Sequence, residues 1–585
     1  MIRQLARSIR EFKKATILTP VFVVGEVLLE ALIPYVISLL VNDINKGCST
    51  SVILGYAWKL VLLSVFSLIF GYLAGVFCSK ASTGFARNLR GDVFKNIQKY
   101  SFSNIDKFSN ASLVTRLTTD IQNIQMAFMM IIRTAIRAPL NLIFSFTMAF
   151  IMGGKMALIF VIVIPVLGGG LLIIAKKALP VFRKGFPMYD ALNNSVEENI
   201  KGIRVVKSYV REDFEKDKFS VASGNIRAIF TKAERILAFN GPLMQFCIYS
   251  VMLFVLSFGA KLIVSTNGAS LDIGEFSTLL TYSFQILVSL MMVSMIFVVI
   301  TFSEESSQRV CEALNEKSSI VSPENALTEV ADGSIDFNDI IFRYSEKAEE
   351  NVLEHVDLHI RSGETIGIIG GTGSAKSSLV QLIPRLYDVS EGSVMVGGHD
   401  VREYDLTVLR DSVAMVLQKN VLFSGTIAEN IRWGNKDASL DEVKEVCHLA
   451  CADEFIEQMP DGYDTYIEQG GTNVSGGQKQ RLCIARALLK RPKILILDDS
   501  TSAVDTKTDS VIRKAMKEYI PETTKIIIAQ RTASVEDADR IIVMDAGKIN
   551  AIGTSEELLK TNAIYQEVYY SQNRQDSDQN GEVKA

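Results

Sequence analysis

The feature that most constrains this chain is a series of apolar segments that stops in the middle of the sequence. Six uncharged or nearly uncharged stretches of membrane-spanning length precede residue 305, at 16–41, 57–78, 129–152, 156–175, 244–264 and 276–302. A helix crosses a bilayer core with roughly 20 such residues. No stretch of that length follows residue 320, where the composition is that of a soluble domain. The sequence therefore predicts a multidomain membrane protein, with an all-α domain of six transmembrane helices followed by an α/β domain.

The same contrast sets the predicted domain boundaries. Residues 1–15 are expected to form an interfacial elbow helix, because Ile2, Leu5, Ile9 and Phe12 share one helical face and basic residues occupy the other. The transmembrane domain is predicted over 16–310, a linker over 311–334 and the α/β domain over 335–570. The polar tail at 571–585 has too few apolar residues to pack and is predicted to be disordered.

Basic residues are distributed unevenly between the predicted loops. Seven Lys and Arg lie between residues 79 and 128 and thirteen between 176 and 243, whereas the other three connections carry one, one and none. Positive residues stay on the cytoplasmic side of a cell membrane, so the two long loops, the N-terminus and the α/β domain are predicted to be cytoplasmic. The long loops are expected to be helical extensions of the spans. The whole chain is nearly balanced in charge, 61 Lys and Arg against 65 Asp and Glu, which gives nucleic-acid binding no support.

A phosphate-binding loop is the clearest local motif. The stretch "GETIGIIGGTGSAKSSLVQLI" reads as a strand, a glycine-rich loop and a helix, an order whose backbone N–H groups converge on phosphate oxygens. Lys376 is expected to reach the outer phosphates of ATP and the Ser377 hydroxyl to bind Mg²⁺. An ordinary glycine-rich turn is the alternative. The predicted ATP-binding residues of this loop are Gly370, Gly371, Thr372, Gly373, Ser374, Ala375, Lys376, Ser377 and Ser378.

A second motif follows downstream in "ILILDD", which reads as a fully buried strand of a parallel sheet. It delivers Asp498 at the carboxyl end of the strand, where ligands of open α/β sheets bind. The carboxylate is expected to hold Mg²⁺ opposite Ser377. Two aspartates after a core strand are also compatible with a simple helix N-cap.

Between these motifs lies "NVSGGQKQRLCIARALL", with Ser475, Gly476, Gly477 and Gln478. Together with the loop and the strand, this segment resembles the signature of the ATP-binding cassette family, and six spans followed by one cassette resemble its exporter-type half-transporters. The resemblance implies that Tyr344 stacks on adenine, that Gln418 contacts Mg²⁺ and the membrane domain, and that Asp505, in "SAVD", touches the opposite subunit at the catalytic centre. It also implies that two cassettes close around two ATP molecules, each bound between one subunit's phosphate loop and the other's signature.

Three departures from the family pattern lie on the phosphate-loop side. The general base is usually Glu, but Asp499 stands there and is shorter by about 1.5 Å. The switch histidine is replaced by Gln530, which donates a hydrogen bond but carries no charge. Ala375 replaces a glycine. The sequence therefore predicts the degenerate-site subunit of a heterodimer, similar to bacterial heterodimeric multidrug exporters, which lends its signature to a partner half-transporter. A slow homodimeric exporter of lipid or peptide and a nucleotide-sensing subunit without transport are the alternatives.

The membrane half carries fewer signals. Segments 108–120 and 202–216 resemble the helices that dock on the cassettes, with Tyr209 and Arg211 as candidate contacts. Glu26 and Glu30 lie on one face of the first span, which predicts a cation-accepting patch on the substrate path, a cap on a water-filled outer vestibule or a bond across helices. Arg133 and Arg137 are expected to snorkel to headgroups. Met291 and Met295 give the sixth span a flexible apolar surface. Hydrophobic, amphipathic or cationic small molecules are the predicted cargo.

Overall fold

Long helices fill the first half of the chain, and β-sheets flanked by shorter helices fill the second. The computed structural model describes residues 1–266, 271–345, 348–500 and 504–581. The chain divides into two units. The first comprises Met1–Gln98 and Ser109–Glu316, and the second comprises Lys99–Phe108 and Lys317–Ala585.

The first unit is entirely helical over its described residues. Its α-helices are Ile2–Leu5, Lys13–Asn45, Thr50–Ile97, Asn110–Thr115, Ile121–Met129, Ala135–Gly153, Leu158–Lys201, Ile203–Ser208, Glu212–Leu237, Asn240–Thr266 and Ile273–Asn315. Short 3-10 segments at Ala6–Phe12 and Gly154–Ala157 and π-helical segments at Arg116–Asp120 and Met130–Thr134 connect some of them. The elbow predicted at the N-terminus breaks at Arg10, whose φ of 41° and ψ of −116° are not helical.

Within the described residues, five helical stretches are long and apolar enough to cross a membrane. One of them, Asn110–Phe182, contains both the third and the fourth predicted spans. The α-helix ends at Gly153 and Gly154 takes a φ of 51° and a ψ of −124°, so the helical path is interrupted between these two spans. Packing close to this point is tight, because a side chain on Gly153 would meet Leu279 at 2.8 Å.

The second unit is built on two larger sheets and one short ribbon. Its strands are β1 (Ile335–Phe342), β2 (Leu353–Ile360), β3 (Thr365–Gly370), β4 (Glu391–Val396), β5 (His399–Asp400), β6 (Val413–Val416), β7 (Gly425–Thr426), β8 (Tyr466–Ile467), β9 (Ile494–Asp498), β10 (Thr524–Ile528), β11 (Arg540–Asp545) and β12 (Lys548–Gly553). Its α-helices are Phe102–Phe108, Lys376–Gln381, Leu406–Ser412, Ile427–Ile431, Leu440–Leu449, Asp453–Ile456, Gly476–Leu489, Thr506–Tyr519, Ser555–Thr561 and Ala563–Gly581.

The six-stranded sheet, in the order β12-β11-β3-β10-β9-β6, positions the candidate site. All neighbouring strands in it are parallel except β11 and β12. Strand β9 is buried at every position, as its unbroken apolar sequence predicts. In the central register Ile528 of β10 stands beside Asp498 of β9 and Ile368 of β3. The carboxyl ends of these three strands therefore meet at one edge of the sheet.

A short piece of the first half of the chain belongs to the second unit. The helix Phe102–Phe108 packs its Phe102 ring 6.0 Å from the ring of Tyr387, and the Tyr387 hydroxyl donates to Asp106 at 3.0 Å. Of the segment 108–120 that is predicted to dock, Phe108 belongs to the second unit and 109–120 to the first, and its docking role stays a prediction. Ser109, with a φ of 58°, separates the two helices at this point.

The last helix differs from the expectation for the C-terminus. Ala563–Gly581 extends eleven residues into the tail that the composition predicts to be disordered. Tyr565 on this helix is fully buried and shares a hydrogen bond of 2.9 Å with Ser555. Packing of its first turns therefore supports the helix beyond the point where the sequence becomes polar.

Candidate functional site

The phosphate loop leaves β3 at Gly370 and ends in the helix Lys376–Gln381. Gly370 has no room for a side chain, because an added Cβ would lie 2.2 Å from the carbonyl oxygen of Met544. The Lys376 ammonium donates to the carbonyl oxygens of Gly370 at 2.9 Å and Gly371 at 2.8 Å and to Ser374 Oγ at 3.1 Å. The Lys376 side chain thus lies over its own loop. Bound phosphate oxygens would compete with the loop oxygens for its ammonium group.

Two of the three residues predicted to contact Mg²⁺ are brought together. Ser377 Oγ donates to Asp498 Oδ1 at 3.0 Å. Burial raises the pKa of the Asp498 carboxyl above its ordinary value, and it lowers the pKa of the Lys376 ammonium. A buried carboxylate of this kind gains most from a nearby cation, and hard oxygen donors are the ligands Mg²⁺ prefers. The residues present therefore fit a Mg²⁺ ion held by Ser377 and Asp498, which would offset phosphate charge.

Ala375 occupies a position for which glycine is suited. Its φ of 67° and ψ of 21° are left-handed helical values at the N-cap of the helix Lys376–Gln381. This conformation costs a residue with a Cβ about 1–2 kcal/mol. Ala375 therefore carries a backbone strain that the glycine of the family pattern would not.

Asp499 meets both of the glutamines that the sequence singled out. Gln530 Nε2 donates to Asp499 Oδ2 at 2.9 Å, and Gln418 Nε2 lies 3.4 Å from the same oxygen. The Asp499 backbone has a φ of 48°, and its N–H donates to the Ile528 carbonyl oxygen at 2.9 Å. The Asp499 carboxylate, which is the candidate base, therefore contacts two neutral amides. Neither amide can accept from it, at neutral pH, a proton taken from the attacking water.

Gln572 is a contact that sequence reasoning missed. Its Nε2 donates to the Gln530 carbonyl oxygen at 2.8 Å, and its Oε1 accepts from the Thr532 N–H at 2.9 Å. The side chain thus bonds both sides of the loop that carries Gln530. It lies in the segment predicted to be disordered, so only the amide character of the residue was visible beforehand.

Tyr344 lies beside the phosphate loop. Its hydroxyl shares a hydrogen bond of 2.8 Å with Ser378 Oγ, and its ring meets that of Tyr387 edge-on with centroids 5.1 Å apart. The side chain remains 44% exposed. A ring in this place has a face available for a base bound next to the loop, which keeps the adenine-stacking prediction open.

The signature residues begin a separate helix, Gly476–Leu489. Ser475 caps it: its Oγ accepts from the Gln478 N–H at 3.3 Å, and its own N–H donates to Gln478 Oε1 at 2.9 Å. Ser475 and Gly476 are exposed. The N-terminus of a helix attracts anions, and small residues let an anion approach its backbone N–H groups closely. In this chain that N-terminus is exposed at the surface of the second unit.

Asp505 has a local structural role. It caps the helix Thr506–Tyr519 by accepting from the Thr508 N–H at 3.0 Å, and this bond lowers the pKa of its carboxyl. Residues 501–503, which begin the "SAVD" loop, lie outside the described residues. The predicted contact of Asp505 with another subunit stays a prediction.

Glu26 and Glu30 are joined to the third predicted span by Arg137. Arg137 Nη1 lies 3.1 Å from Glu26 Oε1, and Nη2 lies 2.7 Å from Glu30 Oε1. The prediction that Arg137 snorkels to headgroups is therefore wrong, because its charge is neutralised inside the unit. The pairing favours the bond across helices over a free cation-accepting patch, although Glu26 Oε2 is buried without a hydrogen bond among the described residues.

The remaining predicted residues are exposed on the first unit. Met291 is 40% and Met295 59% exposed on the helix Ile273–Asn315, which keeps an apolar surface for cargo or for packing. Tyr209 is 74% exposed, and Arg211 is also exposed, directly after the short helix Ile203–Ser208. Both positions remain predictions for docking.

Comparison with known proteins agrees with this architecture. The family description "ABC transporter transmembrane region" matches residues 16–291, and "ABC transporter" matches residues 353–502. The ABC transporter ATP-binding protein YfiB of Bacillus subtilis is 34% identical over 519 residues, which cover 88% of this chain and 89% of that protein. A protein of Desulfotalea psychrophila, "ATP-dependent lipid A-core flippase", is 32% identical over 516 residues, with the same coverage.

A solved structure shares the fold. It is that of a bacterial Atm1-family ABC exporter with ATP bound, and it superposes with a TM-score of 0.82. The match covers 96% of this chain and 98% of that exporter chain. Sequence identity between the two is 24%, so the likeness concerns the fold alone.

The left-handed backbone at residue 375 predicts that Ala375→Gly stabilises the second unit. Relief of the Cβ strain exceeds the added freedom of the unfolded chain, for a net gain of about 1 kcal/mol. Thermal unfolding of the full chain measures it. The control is Ala515→Gly in the right-handed helix Thr506–Tyr519, which should destabilise by about 1 kcal/mol. Equal losses of stability in both variants would contradict the strain.

The ion triad predicts that Arg137→Met destabilises the first unit by about 3 kcal/mol, because two carboxylates lose their partner. Adding Glu26→Gln and Glu30→Gln should recover much of this loss. Thermal unfolding in detergent measures both. Arg204→Met, which removes an exposed arginine of the same unit that has no described ion pair, is the matched control. A loss as large in the control as in Arg137→Met would show that the triad is not responsible.

Proposed function

Because this chain belongs to the ATP-binding cassette transporter family, as an exporter-type half-transporter with transmembrane and ATP-binding domains, we propose that it is the degenerate-site subunit of a heterodimeric exporter. Members of the family bind ATP and couple its hydrolysis to transport. In this chain the phosphate loop holds ATP, and the signature helix completes the site of a partner half-transporter. The partner's site performs most of the hydrolysis.

The observation that carries the proposal is the surroundings of Asp499. Hydrolysis needs a group that accepts a proton from the attacking water, and such a base contributes about 10²–10⁴-fold. Here the carboxylate is one carbon short and accepts hydrogen bonds from Gln530 and Gln418 at a single oxygen. A displacement of about 1 Å at a reacting group costs on the order of a hundredfold. The shorter side chain of Asp499 and its two amide contacts should therefore weaken proton transfer more than they weaken ATP binding.

The residues expected to bind ATP and Mg²⁺ are present in this chain. Lys376 and the loop amides would hold the phosphates, while Ser377, Asp498 and Gln418 would hold Mg²⁺, whose charge offsets that of the phosphates. Ser475, Gly476 and Gly477 begin a helix of 14 residues with an exposed N-terminus. All three departures from the family pattern lie on the phosphate-loop side, and none lies in the signature. In a heterodimer only one of the two ATP sites would therefore contain them.

The cargo we propose is a hydrophobic or amphipathic molecule. The exposed Met291 and Met295 support an adaptable apolar contact. We do not propose a preference for cationic cargo, because the carboxylates that would bind a cation, Glu26 and Glu30, already pair with Arg137. A lipid is the second candidate cargo, favoured by the relative from Desulfotalea psychrophila whose name is that of a lipid A-core flippase.

The test uses the complex isolated through a tag on this chain. A second half-transporter should copurify. Asp499→Asn should leave the ATPase activity of the pair within about twofold, whereas replacing the partner's general base should lower it by about a hundredfold or more.

Asp437→Asn removes an exposed carboxylate from the same unit and is the control for a loss of charge alone. Isolation of this chain without a second polypeptide, together with an Asp499→Asn variant that loses its activity, would contradict the proposal.

A further inference from the structure

A large groove lies on the first unit between the helices Leu158–Lys201, Glu212–Leu237 and Asn240–Thr266. Its volume is about 1330 Å³, larger than the roughly 300–1,000 Å³ typical of small-molecule pockets. Its lining divides into two chemical parts. One part is basic and comprises Lys177, Arg227, Lys232 and Arg235, and the other is apolar and includes Phe239 and Phe246.

Among the side chains that the structure describes, these four basic residues have no ion pair and no carboxylate lines the groove. This absence is local. Farther along the same helical segments Lys201, Lys207, Lys216 and Lys218 each pair with an acidic residue, at distances of 2.5–3.4 Å. The groove therefore carries four positive charges without an acidic partner among the described side chains, and such a surface attracts an anionic ligand.

The apolar part of the groove is unusually open. Phe239 is 68% and Phe246 66% exposed, and both are large hydrophobic side chains on one surface. Exposed apolar patches bordered by polar residues mark sites of interaction with lipid or protein. An occupant of this groove must therefore combine an anionic group with an apolar body.

The place of the groove along the chain agrees with a membrane boundary. Lys177 follows the end of the fourth predicted span, 156–175, by two residues, and Phe239 precedes the start of the fifth, 244–264, by five. On the orientation predicted from the loop charges, this is the cytoplasmic edge of the bilayer, where anionic headgroups attract Lys and Arg and acyl chains begin.

We propose that the groove binds an anionic membrane phospholipid. Its phosphate headgroup lies among Lys177, Arg227, Lys232 and Arg235, and its acyl chains lie against Phe239 and Phe246. A protein helix of a second subunit would need carboxylates at this place to pair with the four cations, whereas an anionic phospholipid brings the negative charge and the apolar body together. The site is independent of the cargo and of the number of active ATP sites.

The test is lipid binding to the purified full-length chain in detergent, measured by native mass spectrometry with added phosphatidylglycerol or phosphatidylcholine. Phosphatidylglycerol should bind more tightly than phosphatidylcholine. The variant Lys177→Gln/Arg227→Gln/Lys232→Gln/Arg235→Gln should weaken phosphatidylglycerol binding by about tenfold or more, because each basic residue near the headgroup contributes up to about fivefold and two of the four contacts already account for that loss. Binding of phosphatidylcholine should be unchanged.

The control removes the same number of charges from the paired lysines, as Lys201→Gln/Lys207→Gln/Lys216→Gln/Lys218→Gln. It should bind phosphatidylglycerol within about twofold of the original chain. Phe246→Ala should also weaken phosphatidylglycerol, whereas binding of inorganic phosphate should not depend on it. Unchanged thermal unfolding of every variant in detergent establishes that the first unit, which carries the substitutions, is folded.

Three results would overturn the proposal. Equal affinity of the original chain for the two lipids would remove the anionic preference. Equal losses in the groove variant and in the control would reduce the effect to net charge. A groove variant that bound lipid normally but no longer associated with a second subunit would assign this surface to protein contact instead.

Discussion

The parallel pairing of β3, β10 and β9 is the constraint on which the ATP site depends. Each strand supplies one part of the site at its carboxyl end: the phosphate loop after Gly370, Gln530 two residues after β10, and Asp498 followed by Asp499 at the end of β9. The in-register pairing of Ile528 with Asp498 and with Ile368 sets these parts side by side. Residues more than a hundred positions apart thereby form one site.

In the function we propose, the site that this sheet builds binds ATP well and hydrolyses it poorly. Ser377 and Asp498 lie in hydrogen-bond contact, and Lys376 lies over the loop. Asp499, in contrast, is short and is bonded by two neutral amides. Ala375 adds strain to the loop without removing any donor. The same chain presents an unmodified signature helix, and this difference is the physical basis for assigning it a partner.

Much of this architecture could be predicted from the sequence, because its signals are local. Apolar runs long enough for a bilayer, a glycine loop between strand and helix, and a buried strand ending in aspartate each depend on neighbouring residues. The expected pairing of Ser377 with Asp498 followed from the phosphate-loop motif and from the position of Asp498 at the carboxyl end of a buried parallel strand. The identity of the helix Gly476–Leu489 followed from its motif, and its capping by Ser475 and Gln478 is the usual chemistry of such a start.

What could not be predicted depends on contacts between distant segments or on backbone angles. Arg137 pairs with two carboxylates of another helix, which no periodicity within its own span indicates. The helix Phe102–Phe108 belongs to the second unit through Tyr387, almost three hundred residues away. Gln572 bonds the loop of Gln530 from a polar tail. The left-handed conformation of Ala375 becomes visible only in the structure.

The most direct test of the central claim is the ATPase turnover of this chain purified alone and reconstituted in lipid. The chain should turn ATP over slowly without a partner, because both sites of a homodimer would then carry Asp499 and Gln530. The variant Asp499→Glu/Gln530→His should raise that turnover by about tenfold or more. Brisk turnover coupled to transport by the unaltered chain alone would contradict the account.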